Sequence, residues 1–381
     1  MDRPRVVLVG AGGYGAGYMM ELLGRDAGAD LVGICDISSD LKERYPIIAE
    51  KGIPVYQNLE AFYAGHAADL AIIVAPVHYH TTMALTCFAH GTNVLCEKPL
   101  CLREEEAQTM AAASGASGKF LAVGYQLNYR RDVLAFKRDI LDGRFGLPKR
   151  LRIYHACRRG RNYYARNNWA GRISVNGLKV LDSPFANACA HNFQMMSFLL
   201  GNDINTACEL NRLEGELYRG NPDVENYDIA ALRFYTSKGA ELLYYTAHPL
   251  QARELGPCGL FEFEKASVRM SPGPVFDVRM HDGTCLDYSG VEPGGGMQKL
   301  YDALDSVRNG TSPVCGIEAD LAHIRAVRMA QELPIREVRE DLRSRVQEDG
   351  DSFVHIEGLE DILAGSAEAW ALPGEAGYRL D

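Results

Sequence analysis

The chain has no Cys-x-x-Cys pair, although ten cysteines occur, at 35, 87, 96, 101, 157, 189, 208, 258, 285 and 315. That scatter speaks against a zinc ribbon or a dithiol redox motif. Several lie inside apolar runs, as buried thiols do. No stretch approaches the roughly 18 apolar residues of a membrane span. The opening "MDRPRVVLVGAGG" has only a short apolar run before glycines, with no h-region or cleavage site. A reducing cytoplasm is therefore the expected compartment. Nor is there an excess of positive charge: 40 Lys+Arg stand against 50 Asp+Glu, a net charge of -10. That balance argues against a nucleic-acid or anionic-membrane surface. Repeats and low-complexity tracts are also missing.

One local exception is "RRGRNYYAR" (158–166), with four arginines and two tyrosines, preceded by Lys149, Arg150 and Arg152. Two readings apply, a solvated basic loop or a collar for an anionic or polyhydroxylated ligand.

At 381 residues, 47% hydrophobic and 24% charged, two globular domains are expected. Residues 5–124 alternate strand and helix. "RVVLVG" is a continuous apolar run, as in a strand buried on both faces. A helix over 14–24 follows, then "DLVGIC" (30–35), another helix, "DLAIIVAP" (69–76), a helix around 80–90, "TNVLCEKP" (92–99), a helix around 103–115 and "FLAVGY" (120–125). Strict alternation implies βαβ units and a doubly wound parallel sheet. The texture then changes. An amphipathic helix over 131–143 leads into the strand "PKRLRIYHACRR", and further strands are predicted over 227–236, 240–248, 259–270 and 276–288. Short polar turns between them suggest a mostly antiparallel sheet. Helices over 294–310 and 317–333 close the pattern. The expected division is a dinucleotide-binding domain over 1–125 and a second α/β domain over 126–381.

"VGAGGYG" places Gly10, Gly12 and Gly15 as G-x-G-x-x-G between the first strand and a helix, with Gly13 and Tyr14 inside the motif. Such glycines permit the tight turn and let backbone N–H groups approach a pyrophosphate at the positive helix end. Asp36 ends the second strand 21 residues after Gly15. A carboxylate there accepts hydrogen bonds from both ribose hydroxyls and repels a 2′-phosphate, favouring NAD over NADP. Ile37, Ser38 and Ser39 supply no arginine for a 2′-phosphate.

"CEKPL" (96–100) falls at the carboxyl end of a strand, the edge where such folds bind ligands. Glu97 and Pro99 can there fix the backbone of Lys98. "SPFANACAHNF" (183–193) puts Asn187 and His191 one helical turn apart, so both should share a face. Ser183 is a good N-cap with Pro184 at the first helical position, and Gly201 a stop. The Rossmann fingerprint, "APVHYH" (75–80), "CEKPL" and the helix with His191 ending in "LLG" together resemble the Gfo/Idh/MocA oxidoreductase family, whose members include glucose–fructose oxidoreductase and inositol dehydrogenase. The resemblance implies a Rossmann domain followed by an α/β domain with an open, mostly antiparallel sheet that commonly mediates oligomerisation. It also implies a nicotinamide between the domains, lined by Ala75, Pro76, His78, His80, Glu97, Lys98 and Gln126. Roles at the substrate hydroxyl fall on Lys98 and His191, with Asn187 beside them.

The chain departs from the family's Asp-x-x-x-His helix, with Asn187 and Gln194 where acids are usual. An amide can orient a hydroxyl but accepts no proton at neutral pH. Asp182 is the nearest acid, either catalytic or part of the entry turn. Alcohol oxidation needs a base near the working pH, which histidine supplies. The expectation is His191 as proton acceptor and Lys98 as electrostatic partner, with the roles open to exchange.

Tyr163, Tyr164 and Trp169 are candidates to stack on a sugar face, or simply pack the loop. His78-x-His80 alternates and lacks a carboxylate, so no metal is expected. His155, His248 and His281 are read as core-edge polar groups, and Gly294–Gly296 as a link. The function expected is an NAD-dependent dehydrogenase of a ring hydroxyl in a sugar, cyclitol or glycoside, a homodimer or homotetramer with a small substrate, neutral or anionic. Alternatives are glycoside cleavage through transient ring oxidation, and a non-catalytic NAD(H)-binding protein.

Overall fold

The computed structural model describes residues 3–25, 27–273 and 275–381. The chain forms two compact units, one of residues 1–130 and 294–320, the other of 131–293 and 321–381.

The first unit is a six-stranded parallel sheet of β1 (Arg5–Val9), β2 (Asp30–Cys35), β3 (Val55–Tyr56), β4 (Leu70–Ile73), β5 (Asn93–Cys96) and β6 (Leu121–Val123). Its spatial order is β3-β2-β1-β4-β5-β6. The order reverses between β1 and β4, and the carboxyl ends of those strands form the crevice where doubly wound sheets take their ligands. Helices Gly15–Gly24, Val77–Ala89 and Glu104–Ser117 follow β1, β4 and β5. They match the predicted positions. The single helix expected between β2 and β4 is instead three short ones, Leu41–Arg44, Ile47–Glu50 and Leu59–Tyr63, with β3 among them. Pro46 interrupts the first run, since its ring cannot sit in a helix interior.

The helix Gln298–Asn309 also belongs to this unit. Leu300, Ala303 and Leu304 are fully buried in the core around Leu8, Tyr18, Leu22 and Leu70. Burying each leucine there contributes on the order of 2 kcal/mol. A single cut after residue 125 therefore differs from what the contacts show: the chain returns to the first unit from 294 to 320.

In the second unit, nine strands make a mixed sheet. They are β7 (Pro148–Cys157), β10 (Leu210–Arg219), β11 (Ile229–Thr236), β12 (Glu241–Ala247), β13 (Glu254–Phe263), β14 (Ala266–Ser271), β15 (Val275–Met280), β16 (Cys285–Asp287) and β17 (Ile335–Glu337). The order is β16-β15-β14-β13-β7-β12-β11-β10-β17. Only β12 with β7 and β10 with β17 pair in parallel. The predicted strands 259–270 and 276–288 are each two strands, because tight turns at 264–265 and 281–284 fold them into hairpins. Two small hairpins, β8–β9 (Ser174–Val175 and Leu178–Lys179) and β18–β19 (Arg343–Glu348 and Asp351–Ile356), stand apart from the sheet. The helix Leu359–Glu368 packs a core of Leu359, Leu363 and Ala367 against Tyr245, Ala247 and Ile356. Among the described residues no helix is long and apolar enough to cross a membrane.

Candidate functional site

In the first unit, the loop after β1 is built for close approach. Gly10 has φ +82°, and a Cβ there would lie 2.2 Å from the Val74 carbonyl oxygen. At Gly15 a Cβ would lie 1.9 Å from the Gly10 oxygen. Gly12 and Gly13 have open space beside them. The helix Gly15–Gly24 has no acid in its first turn, so its positive end is uncompensated. The Asp36 carboxylate accepts from the Ala11 N–H and the Ser38 N–H, each at 2.8 Å. These bonds fix the carboxylate at the end of β2 and leave lone pairs for ribose hydroxyls. An open glycine cradle, a bare helix N-terminus and a held carboxylate fit a dinucleotide. Arg44, missed from sequence, reaches Ser38 Oγ at 2.6 Å but is paired with Asp40 at 3.0 Å.

Lys98 follows β5, and its N–H donates to Glu97 Oε2 at 3.2 Å. The Glu97 carboxylate turns inward. Tyr18 Oη donates to it at 2.7 Å, and the fully buried Lys299 ammonium bonds the same oxygen. Lys299 also donates to the Gly124 carbonyl and to Tyr14 Oη, both at 3.1 Å, and Tyr14 in turn donates to Gln126 at 3.3 Å. Gly124 has to be glycine, because a Cβ would lie 2.6 Å from Glu97 Oε1. The nucleotide loop, Gln126 and the Lys98 backbone thus share one hydrogen-bonded chain. Glu97, expected to line the cofactor, is instead buried and holds the Lys98 backbone from behind. Lys299 was not foreseen. Its signal was a lysine on the apolar side of an amphipathic helix, one turn before Ala303.

His80 is also corrected. It is 1% exposed, with Nε2 2.7 Å from the Ala75 oxygen and Nδ1 3.0 and 3.1 Å from the Pro99 and Leu100 oxygens. Burial holds its pKa below the usual histidine range. The ring ties the loop after β4 to the Lys98–Leu100 segment and is too enclosed to meet a ligand. His78 is half-buried against Tyr79, with Nδ1 making no hydrogen bond. It stays a cofactor-side candidate beside Ala75 and Pro76.

In the second unit, Ser183 caps the turn at 183–188, accepting from the Ala186 N–H at 3.0 Å. The turn is a π-helix, Pro184–Ala188, closed by Cys189 N–H on the Pro184 oxygen at 2.8 Å. An α-helix then runs Ala190–Leu199. Asn187 and His191 therefore lie on two helical segments, and the expectation of one continuous face fails. A wide π turn changes the angle between positions four apart, as such bulges do at functional sites. Every residue of Ala190–Leu199 is buried except His191, which is half-buried. Gln194 is fully buried and is a core residue. Asn187 Nδ2 donates to Asp182 Oδ1 at 2.8 Å, while Asp182 Oδ2 accepts from the Gly171 N–H at 2.7 Å. Asp182, 3% exposed, is thus a positioning residue for Asn187.

Next to Asp182 lies the aromatic loop. Tyr164 Oη is 2.7 Å from His248 Nδ1. Burial pushes the Tyr164 phenol well up, so it keeps its proton within this bond. His248, read as a core-edge group, is 2% exposed and belongs to this cluster. Its N–H donates to the Asp228 oxygen at 2.9 Å. Tyr163 stands edge-on to Tyr164, and its ring lies 3.7 Å from the Arg166 guanidinium and 4.9 Å from that of Arg159. Trp169 is half-buried beside Arg166. Arg158 is neutralised by Glu348 at 2.7 Å. Arg159, Arg161 and Arg166 have no acidic partner among the described residues. His155 bridges Glu254 and Asn192, as a core-edge group does, and His281 is exposed.

Residues 4–125 match the GFO_IDH_MocA family, described as oxidoreductases with an NAD-binding Rossmann fold. The first unit thus carries the NAD-binding Rossmann fold that this family's model describes. Its cofactor is NAD. Inositol 2-dehydrogenase 1 of Saccharopolyspora erythraea is 27% identical over 203 residues, 52% of this chain and 55% of that protein. The matched segment thus spans about half the length of such relatives. Across 87% of this chain the fold is that of the WlbA dehydrogenase of Bordetella pertussis, crystallised with NADH and UDP-GlcNAcA (TM-score 0.71, 21% identity, 99% of that chain). The same share superposes on myo-inositol 2-dehydrogenase of Lactobacillus plantarum (TM-score 0.67, 18% identity, 97% of that chain). The parallel six-stranded sheet of the first unit and the mostly antiparallel sheet of the second agree with the architecture read from sequence.

Proposed function

We propose that the protein is an NAD-dependent dehydrogenase acting on a ring secondary hydroxyl of a sugar, cyclitol or glycoside. The observation that carries this reading is the isolation of His191, the one residue of an otherwise buried helix left able to meet a ligand. Bound NAD supplies the hydride acceptor. Gly10, Gly12, Gly13, Tyr14 and Gly15 cradle its pyrophosphate, and Asp36 selects its ribose. His191 takes the hydroxyl proton, and Asn187, held by Asp182, orients that hydroxyl. The Lys98 ammonium stabilises the developing alkoxide, at the end of a network that fixes its backbone. Ala75, Pro76, His78 and Gln126 stand on the cofactor side. Tyr163, Tyr164 and Trp169 contact the ring of the substrate. Arg159 and Arg166, without acidic partners, favour a substrate bearing a carboxylate or phosphate. Ten free thiols suit a reducing cytoplasm, and the open sheet of the second unit is the proposed oligomerisation surface.

The Tyr164–His248 pair favours one second reading. A dehydrogenase needs a single proton acceptor, whereas cleavage of a glycoside through transient ring oxidation needs another proton-transfer group near the adjacent carbon. A panel of uronates, sugar phosphates, neutral sugars, inositols and glycosides, followed for NADH, separates the two. Stoichiometric NADH marks the dehydrogenase, and loss of glycoside without NADH marks the cleaving enzyme.

A further inference from the structure

Beside the Asn187–His191 turn lies a thiol pair that the proposed chemistry does not use. Cys157 ends β7, and Cys189 joins the π turn to the helix of His191. Their sulfurs are 3.4 Å apart, 32 residues separated in sequence. We propose that Cys157 and Cys189 are a reversible dithiol–disulfide site whose oxidation locks the turn that carries Asn187 and His191.

The geometry supplies each requirement. A disulfide sets sulfurs about 2 Å apart, so roughly 1.4 Å of approach closes this pair. Cys157 is 8% exposed and Cys189 is not exposed at all, so an oxidant meets Cys157 first. The two thiols also differ in character. Burial pushes the thiols of Cys35, Cys87 and Cys208 up to about 12. Cys157 alone among the buried cysteines with a resolved shift goes the other way: its hydrogen bond with Cys189 lowers it against the effect of burial, and the His248 ring and the Arg159 guanidinium lower it further. Cys189 goes up as its partner. A thiolate beside a protonated resolving thiol is the arrangement that peroxide-sensitive cysteines use.

With hydrogen peroxide as oxidant, the Cys157 thiolate attacks one oxygen and the O–O bond breaks. The products are a sulfenic acid and one water, formed as the leaving oxygen takes up a proton. Cys189 then attacks the Cys157 sulfur. The S–S bond forms, the S–O bond breaks, and hydroxide leaves with the Cys189 proton as a second water. Two thiols lose two electrons and the peroxide gains them.

The site should be felt at the turn because Cys189 is held on both sides. Its N–H closes the π turn on Pro184, and its carbonyl accepts from Tyr244 Oη at 2.5 Å. Pulling its sulfur toward β7 displaces the junction between Asn187 and His191. This consequence rests on the proposed roles of those two residues, but formation of the bond does not.

The test uses the full chain with Cys285→Ser, which removes the exposed thiol on β16. Native protein is treated with a few equivalents of hydrogen peroxide, alkylated after unfolding and mapped by peptide mass spectrometry. The expected result is a Cys157–Cys189 cross-linked peptide, lighter by two hydrogens and abolished by dithiothreitol. It is accompanied by a fall in NAD reduction of about tenfold or more that dithiothreitol reverses, and that Cys189→Ala does not show. Both cysteines recovered fully alkylated would overturn the site, and this measurement needs no variant at either position. A cross-link with unchanged turnover overturns the locking role. A cross-link in protein that reduces NAD with no substrate of the panel upholds the site and counts against the dehydrogenase reading instead.

Discussion

The Asn187 side chain donates to Asp182 at 2.8 Å, and the second Asp182 oxygen takes the Gly171 N–H at 2.7 Å. The acid that sequence left between two roles therefore acts through the amide. Asp182→Ala leaves two donors without their acceptor, at about 1–3 kcal/mol for each buried group. The expected outcome is a lower urea midpoint together with a fall in kcat. Asp182→Asn, which keeps one acceptor, should recover much of the stability. A midpoint unchanged in Asp182→Ala contradicts the assignment.

Glu97 and Lys299 form a buried ion pair behind Lys98. Removing one partner strands a charge in the interior. Glu97→Gln or Lys299→Met should each cost about 3–5 kcal/mol, and the double variant clearly less than their sum. Denaturant titration of the four proteins measures this coupling. Additive losses would mean that the two groups stabilise the fold independently.

Asp36 is expected to select the cofactor. Losing its charge-assisted bonds to a ribose should weaken NAD by about 2 kcal/mol, roughly thirtyfold. Asp36→Ala should also admit NADP, since the repulsion is gone. Binding of both nucleotides by calorimetry is the check, and NAD affinity within twofold of wild type, to about a factor of two, counts against the cradle as described.

Asp228 is buried, and desolvation pushes its carboxyl up to about 6, against backbone bonds from Gly220 and Asn221 that favour the charge. A raised acid keeps its proton in the folded state while the unfolded chain releases it. The stability contributed is present below about pH 4 and is lost as pH rises through about 6. Relative to Asp228→Asn, which cannot ionise, wild type should lose about 2–3 kcal/mol between about pH 4 and pH 7. A pH-independent difference between the two proteins contradicts this.

The parallel sheet was legible because β1, β4 and β5 are apolar runs and the glycine spacing is local. The nucleotide loop, Asp36 and the Ser183 cap were legible for the same reason. What escaped depends on distant partners. Lys299 meets Glu97 across 202 residues and His248 meets Tyr164 across 84, and neither local sequence names its partner. His80 looked like a ligand-side residue because its carbonyl partners carry no side-chain signature. The π turn escaped because "PFANA" reads as an ordinary helix start, and only the Cys189-to-Pro184 bond reveals the wider turn. The return of 294–320 to the first unit was hidden for a similar reason. An amphipathic helix shows that it has a core to face, but not which one.

The central claim is that His191 and Lys98 serve hydride transfer to NAD from a ring hydroxyl. The most direct measurement is NADH formation by wild type, His191→Ala and Lys98→Ala on the best substrate of the sugar and cyclitol panel. The account predicts NADH in step with substrate consumed, and a fall in kcat of about a hundredfold or more in each variant, with NAD binding retained in His191→Ala. Turnover within a few-fold of wild type in both variants would contradict it.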